Sequence, residues 1–283
     1  MEKSASTDKV LPVTSFKNGS GVELVPDVYC YTIQIANVFF IGNPAISSEW
    51  VLVDAGMPGS AHRILEEAEN HFGPDHKLKS IILTHGHFDH VGGLVDILEQ
   101  YKVPVYAHPL EFSYLKGITD YPEPDYEVEG GLVAKMSKAF PVEAIDISAH
   151  LHALPDDGTV PDMPGWQWIH TPGHSPGHIS LFREKGRVML AGDAFVTVKQ
   201  DSLYKVTIQK KEIHGPPVYL TTDWRTAWES VVKLADLRPS IAGTGHGKPM
   251  RGSALAKGLV HLANNFQDVA VPKYGKFVSA SKH

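Results

Sequence analysis

The 283-residue chain contains a single cysteine, Cys30, no block of five like charges and no long hydrophobic run. One cysteine excludes an intrachain disulfide framework and any multi-cysteine zinc or iron–sulfur site. A formal net charge of −6 gives no electrostatic attraction to a phosphate backbone, so we expect no nucleic-acid partner. The longest uncharged apolar runs are well short of the ~20 residues that span a bilayer, so we expect no membrane association.

The N-terminus contains no apolar stretch of the kind found in secretory signals, and we therefore predict a cytoplasmic protein. The composition is 42% hydrophobic and 20% charged, which is ordinary for a globular protein. What departs from the ordinary is the presence of 16 histidines. Their positions along the chain carry the functional information.

Strand-like and helix-like segments alternate along the chain, which predicts an α/β fold. Helices are expected from Ser60, acting as the N-cap, to Phe72, around 94–98, at 132–139, at 254–266 and at 222–237, where Trp228 belongs to an apolar stripe. Short strands are expected at 31–35, 37–41, 50–54, 79–84, 103–107, 166–170, 178–183, 187–191 and 240–244.

Four potential metal ligands follow the apolar strand at 79–84: His85, His87, Asp89 and His90. A turn at the end of a strand can direct several such side chains into one cleft. A helix would not do so, because positions i and i+2 lie on different faces. Four ligand-type residues at this spacing favour a metal site over a polar surface turn.

Three further ligand-type residues follow strands and stand beside glycines: His174, Asp193 and His246. Each glycine allows a tight turn and a close backbone approach next to the ligand. The seven nitrogen and oxygen ligands are too many for one tetrahedral zinc ion. They suit two divalent ions, with His85, His87 and His174 on the first, Asp89, His90 and His246 on the second, and Asp193 bridging. Zn²⁺ is the first choice, and Fe²⁺, Mn²⁺ and Co²⁺ stay open.

The order and spacing of these residues resembles the metallo-β-lactamase superfamily, whose HxHxDH signature and later His, Asp and His ligands are matched by the seven residues. The resemblance extends to the strand that ends at Asp54. It implies a four-layer αβ/βα sandwich with the metals at one edge of the two sheets. It also implies that Asp54 orients a ligand histidine, as metal-bound imidazoles generally require of some neighbour.

We expect residues 1–250 to form one domain of this type, and residues 251–283 to add a C-terminal helix and tail to it. Periodicity weakens between residues 110 and 165, which indicates an insertion or lid. Substrate specificity is expected to lie in this segment and in the loop at 195–220.

The resemblance is strongest to the branch that contains glyoxalase II and the lactonases. The segment after His246 is short for the helical domain that carries the glutathione-binding residues of glyoxalase II. Acyl-homoserine lactonases share all seven ligands but have a tyrosine where this chain has Val196. A sulfur dioxygenase with a single iron is the non-hydrolytic alternative, and a metal-stabilised binding module is the non-enzymatic one.

The expected function is hydrolysis of an acyl bond, in an ester, lactone or thioester, of a small molecule. A hydroxide bridging two divalent ions would be the nucleophile, because bound metal lowers the pKa of water towards ~7. Asp89 would be the catalytic residue that moves the proton. The aromatic and proline content of residues 110–165 is compatible with a lid or with a homodimer contact.

Overall fold

The computed structural model describes residues 19–129, 131–198 and 213–278. By the density of its internal contacts the chain divides into two compact units. The first unit contains Met1–Tyr121 and Pro141–Pro164, and the second contains Pro122–Phe140 and Gly165–His283. The segment at 110–165 is thus shared between the two units. The single domain expected over residues 1–250 stays a prediction.

The first unit contains a seven-stranded sheet whose strand order follows the chain. Strands β1 to β4 pair antiparallel and form a meander, whereas β4 to β7 pair parallel. The strands are β1 (Ser20–Val25), β2 (Val28–Ile33), β3 (Ala36–Ile41), β4 (Glu49–Val53), β5 (Lys77–Ile82), β6 (Val105–Ala107) and β7 (Leu151–Ala153).

The helices of the first unit are α1 (Ala61–Phe72), α2 (Phe88–Val91), α3 (Leu94–Tyr101) and α4 (Phe112–Leu115), and a 3₁₀ turn precedes α4. The apolar faces of α1 and α3 pack with β2 to β6 in one core. Burying one such side chain contributes ~1.5–3 kcal/mol. The helix expected at 61–72 is confirmed, but the expected cap is wrong. Ser60 has helical backbone angles and its side chain makes no capping hydrogen bond.

The second unit contains a five-stranded sheet in the order β12-β11-β10-β9-β8. Its pairs are antiparallel except for β10 with β11, which are parallel. As a result β8, β10 and β11 run in the same direction. The strands are β8 (Trp166–His170), β9 (Ile179–Arg183), β10 (Val188–Leu190), β11 (Ile241–Gly243) and β12 (Met250–Arg251).

The helices described in the second unit are α5 (Gly131–Met136), α6 (Trp224–Asp236), α7 (Gly252–Asn264) and α8 (Phe266–Val269). Asp223 caps α6, since its side chain accepts from the backbone N–H groups of Arg225 and Thr226. The apolar stripe of α6 is buried except for Trp228, which is 45% exposed, so that part of the prediction is wrong. The indole Nε1–H of Trp228 donates to the carbonyl of Ala263 on α7 at 2.9 Å, and this bond holds one edge of the ring at the surface.

Among the residues that the structure describes, no helix combines the length and apolarity needed to cross a bilayer. Several expectations concern parts of the chain outside these residues. They are the N-terminal segment before β1, the middle of the loop at 195–220 and the end of the C-terminal tail.

Candidate metal centre

The His-rich segment of the first unit, residues 85–90, is called the ligand loop below. It begins three residues after β5, where the backbone leaves the sheet. His85, His87, Asp89 and His90 are all buried. In three pairs of these residues, potential ligand atoms lie within 4.8 Å of each other: His85 with His87, His85 with His90, and Asp89 with His90. The first unit therefore brings its four predicted ligands together.

The conformation of the ligand loop corrects one expectation. Its first half is an irregular turn, but Asp89 and His90 lie on the single-turn helix α2, for which His87 is the N-cap. The backbone N–H of His90 donates to the carbonyl of His87 at 2.8 Å. Only two adjacent ligands are helical, so the separation of i and i+2 on a helix does not keep the four side chains apart.

Asp54 lies at the end of β4 with φ +60°, a left-handed conformation that Asp tolerates better than most residues. Its Oδ1 accepts from the backbone N–H of Thr84 at 2.8 Å. Its Oδ2 accepts from the Thr84 hydroxyl at 2.8 Å and from His90 Nδ1 at 2.9 Å. The expectation that Asp54 orients a histidine of the motif is confirmed.

The same hydrogen bonds determine which ring nitrogen carries the proton. His90 Nδ1 donates to the carboxylate of Asp54, which leaves the lone pair on Nε2. The Thr84 hydroxyl gives its proton to Asp54, so it accepts from His85 Nδ1 at 3.0 Å. Both imidazoles are therefore prepared to bind an ion through Nε2.

Two residues beside the ligand loop were missed by the sequence reasoning, Glu111 and Tyr121. Glu111 is fully buried and accepts from the backbone N–H of Gly86 at 3.1 Å. The Tyr121 hydroxyl donates to the same carboxylate oxygen. Burial and the neighbouring Glu111 raise the pKa of Tyr121 well above 10, so the phenol keeps its proton. Neither residue belongs to a motif, and the irregular segment around them gave no signal.

The second unit brings its three predicted ligands together at one edge of its sheet. His174, Asp193 and His246 follow β8, β10 and β11, whose carboxyl ends meet there because these strands run in the same direction. Asp193 Oδ2 lies 3.5 Å from His174 Nε2 and 3.2 Å from His246 Nε2. All three side chains are buried.

Neutral groups orient the ligands of the second unit. The Thr221 hydroxyl donates to the carbonyl of Pro217 and therefore accepts from His174 Nδ1 at 3.2 Å. His178 Nε2 accepts from the backbone N–H of Asp193 at 2.8 Å, so this histidine holds the backbone of a predicted ligand. Thr221 lies 47 residues from His174 in sequence and was not predicted.

Gly173 shows why a glycine precedes His174. Its φ is +126°, which side-chain-bearing residues rarely adopt, and a Cβ there would overlap the backbone of Ala227 in α6. The close backbone approach expected at the glycine-flanked ligands is therefore present at this position.

The donor set of the two units consists of imidazole nitrogens and carboxylate oxygens. Cys30, the one thiol of the chain, is buried in β2 and belongs to none of the ligand groups that the described residues form. Such a set fits divalent ions of the Zn²⁺, Fe²⁺, Mn²⁺ or Co²⁺ type. The histidine and aspartate clusters can therefore hold divalent metal.

The sequence model of the family described as the metallo-beta-lactamase superfamily matches residues 31–246, so the chain belongs to that superfamily. With the two sheets, their helices and the His/Asp clusters, this defines the class of protein: a metallo-hydrolase of α/β fold.

Among its relatives, the chain is 51% identical over 263 residues to the probable metallo-hydrolase YflN of Bacillus subtilis, covering 93% of this chain and all of that one. It is 26% identical to the hydroxyacylglutathione hydrolase GloC of Haemophilus influenzae, covering 50% of this chain and 59% of GloC. Among solved structures, the superfamily protein ST1585 from Sulfolobus tokodaii matches 95% of this chain and 91% of its own, with a TM-score of 0.55 and 19% identity. The last match supports the fold alone.

Proposed function

We propose that this protein is a dinuclear metal-dependent hydrolase that cleaves an ester, lactone or thioester bond of a small molecule. The observation that carries the proposal is the orientation of three buried histidines. His85, His90 and His174 each direct Nδ1 to a neighbouring oxygen, which leaves the Nε2 lone pair for an ion. Histidines with a merely structural role need no common tautomer at one site.

The seven proposed ligands divide between two ions. His85, His87 and His174 would hold the first ion, and Asp89, His90 and His246 would hold the second. Asp193 would be shared by both ions, which is supported by the position of its Oδ2 close to His174 Nε2 and His246 Nε2. We take Zn²⁺ as the first choice of ion, with Fe²⁺, Mn²⁺ and Co²⁺ as alternatives.

When bound, divalent ions at such a site lower the pKa of water and polarise a carbonyl oxygen, so no serine or cysteine nucleophile is needed. The seven proposed ligands are buried side chains, so they would hold these ions away from bulk water. The carboxylate of Asp89 would accept a proton from the attacking water and deliver it to the leaving oxygen or sulfur. Its ligand oxygen lies within 4.8 Å of a ring nitrogen of His90, which Asp54 keeps in a single orientation.

The proposal that the cleaved bond is an acyl bond is supported by the name of one relative, GloC. GloC carries the name of a hydrolase of hydroxyacylglutathione, a small-molecule acyl compound. Half of this chain aligns with GloC, so we propose the bond class and not the glutathione group. We further propose a cytoplasmic enzyme that acts without nucleic-acid or membrane partners. A homodimer stays a prediction that light scattering would test.

Elemental analysis of protein purified without a chelator or an affinity metal tests the metal centre. We expect close to two divalent ions per chain and turnover on a panel of lactones, thioesters and simple esters. Protein stripped with a chelator is the matched control, and it should lose turnover and recover it when metal is returned.

Two results would contradict the proposal. A single iron per chain, with oxygen consumed on a sulfur substrate, would instead support the sulfur dioxygenase-like alternative. Metal-replete protein with no turnover on any acyl substrate would favour the metal-stabilised binding module.

A further inference from the structure

The buried carboxylates of Asp54 and Glu111 both contact the ligand loop, and the proposed function uses that of Asp54. Glu111 ends the 3₁₀ turn Pro109–Glu111 after β6. Its side chain is fully buried. Burying a carboxylate is costly unless hydrogen bonds compensate for the lost water, so its contacts deserve a functional explanation.

The first contact of Glu111 is with the backbone of the ligand loop. The N–H of Gly86 donates to Glu111 Oε2 at 3.1 Å, and Gly86 stands between His85 and His87. A Cβ at Gly86 would overlap the Tyr121 hydroxyl, so glycine is required for this close approach. Glu111 therefore holds the loop at the residue between two proposed ligands of the first ion.

The second contact runs through Tyr121 to the ring of His87. The Tyr121 hydroxyl donates to Glu111 Oε2, and the Tyr121 ring lies 4.6 Å from the His87 ring at 61°. Tyr114 stacks on Tyr121 with ring centroids 3.8 Å apart and 19° between the planes. Tyr121 is thus fixed at its hydroxyl by Glu111 and along its face by Tyr114, and it presents a rigid surface to His87.

Histidine orientation in the ligand loop is therefore obtained in two ways. Asp54 and Thr84 orient His90 and His85 through hydrogen bonds to Nδ1. For His87 the Tyr121 ring restricts the imidazole by packing. An imidazole that can rotate binds an ion more weakly, because binding must then offset the lost rotational entropy.

We propose that Glu111 and Tyr121 are positioning residues for His87 and that they set the affinity of the ion that His87 binds. This inference rests on the ligand set of the proposed function. It distinguishes the two ions: the first ion depends on Glu111, whereas the second, held by Asp89, His90 and His246, does not.

Metal titration of the apoprotein tests the inference without any substrate. Zn²⁺ is added in competition with a chromophoric chelator, and the visible absorption of the Co²⁺-loaded protein reports ligand geometry. For Glu111→Ala we expect one of the two association constants to fall by about 10- to 100-fold, with an altered Co²⁺ spectrum. Glu111→Gln, which keeps an acceptor oxygen, should recover most of this loss.

Tyr121→Phe keeps the ring and removes the bond to Glu111, so its effect should lie between those of the two Glu111 variants. Tyr274→Phe is the control, because Tyr274 is exposed on the second unit and should leave both constants unchanged. The circular dichroism and melting temperature of each apoprotein report whether the variant is folded.

The outcomes separate this inference from the proposed function. Wild-type protein that fails to bind two ions would overturn the proposed ligand set and the inference with it. If the wild type binds two ions and folded Glu111→Ala binds both as tightly, the inference alone is wrong. Equal weakening of both ions would also overturn it, since that marks a general structural role. If Glu111→Ala does not fold, the same comparison with Tyr121→Phe decides.

Discussion

The two units hold their proposed ligands by different means. In the first unit four ligands lie within six consecutive residues, and a buried carboxylate, Asp54, orients two of them, His90 directly and His85 through Thr84. In the second unit three ligands come from three strand ends. The Thr221 hydroxyl contacts the ring of His174, and the His178 imidazole and the Thr244 hydroxyl contact the backbones of Asp193 and His246. One set is continuous and anchored by charge, whereas the other is dispersed and anchored by neutral groups.

This difference predicts how much the loss of one anchoring hydrogen bond costs in each unit. A hydrogen bond to a charged group contributes ~1.5–3 kcal/mol, and a neutral one ~0.5–1.5 kcal/mol. Loss of an anchor should therefore cost more in the first unit. In the second unit the backbone pairing of the sheet already brings the ligands close together, because each ligand follows one of three strands that run in the same direction.

The largest effect is expected at Asp193, which the proposed function assigns to both ions. Asp193→Asn removes the charge of the proposed bridge, so we expect kcat/KM to fall by more than ~100-fold, beyond the usual cost of losing a supporting group. Metal content should fall as well. Elemental analysis and a turnover assay on a responsive acyl substrate measure both, and an unchanged turnover would remove Asp193 from the site.

The next largest effect is expected at Asp54. Asn also tolerates a positive φ, so Asp54→Asn should retain the backbone while its amide N–H₂ opposes the donors Thr84 and His90. We expect metal affinity to fall by about 10- to 100-fold. Chelator competition measures this loss. A variant with wild-type affinity would show that charge does not anchor the ligand loop.

Thr221→Val is the matched change in the second unit. It preserves the shape of the side chain and removes the acceptor of His174 Nδ1. The expected loss is about 1 kcal/mol, close to fivefold in metal affinity. The same titration measures it, and a loss equal to that of Asp54→Asn would abolish the distinction between charged and neutral anchors.

The smallest effect concerns stability and a histidine away from the metal centre. His76 Nδ1 accepts from the indole N–H of Trp50 at 3.0 Å, and burial lowers the pKa of His76 below its usual 6.5. Above pH 6.5 both folded and unfolded forms are neutral, so stability is fully present. As the pH falls through 6.5 the unfolded form takes up the proton first, and stability is lost.

Thermal unfolding followed by the fluorescence of Trp50 and the other tryptophans, between pH 7.5 and 5.5, checks this expectation in apoprotein. His76→Gln should show a shallower decrease of melting temperature with pH than the wild type. Comparing the two slopes cancels the contribution of the ligand histidines, which both proteins share. Parallel slopes would exclude His76 as a source of the pH dependence.

The sequence predicted the ligands where a short segment contains both the ligand-type residues and the neighbours that identify them. The ligand loop is dense in ligand-type residues, and His174, Asp193 and His246 each stand beside a glycine after a strand. The contact of Asp54 with a histidine was expected from the family resemblance and is confirmed. The longer helices and most strands follow from the periodicity of apolar residues, with boundaries that shift by up to three positions, whereas the four-residue helices α2, α4 and α8 were not predicted.

Glu111, Tyr121 and Thr221 were not predicted, because each reaches its histidine or its loop through tertiary contact. A glutamate after proline and leucine, or a threonine before a helix, is ordinary in sequence. The wrong prediction for Trp228 has the same cause. The 3.6-residue period places Trp228 on the apolar stripe, but a hydrogen bond to the carbonyl of Ala263 on α7 determines where its indole lies.

The amino-acid sequence by itself determined the fold class, the superfamily and the set of potential ligands, because these depend on residue type and spacing along the chain. The tertiary structure decided the tautomers of the histidines and the anchors of each ligand set. It also decided the difference in anchoring between the two units. Hydrogen bonds and ring contacts between distant segments produce these features, and such contacts exist only when the chain is folded.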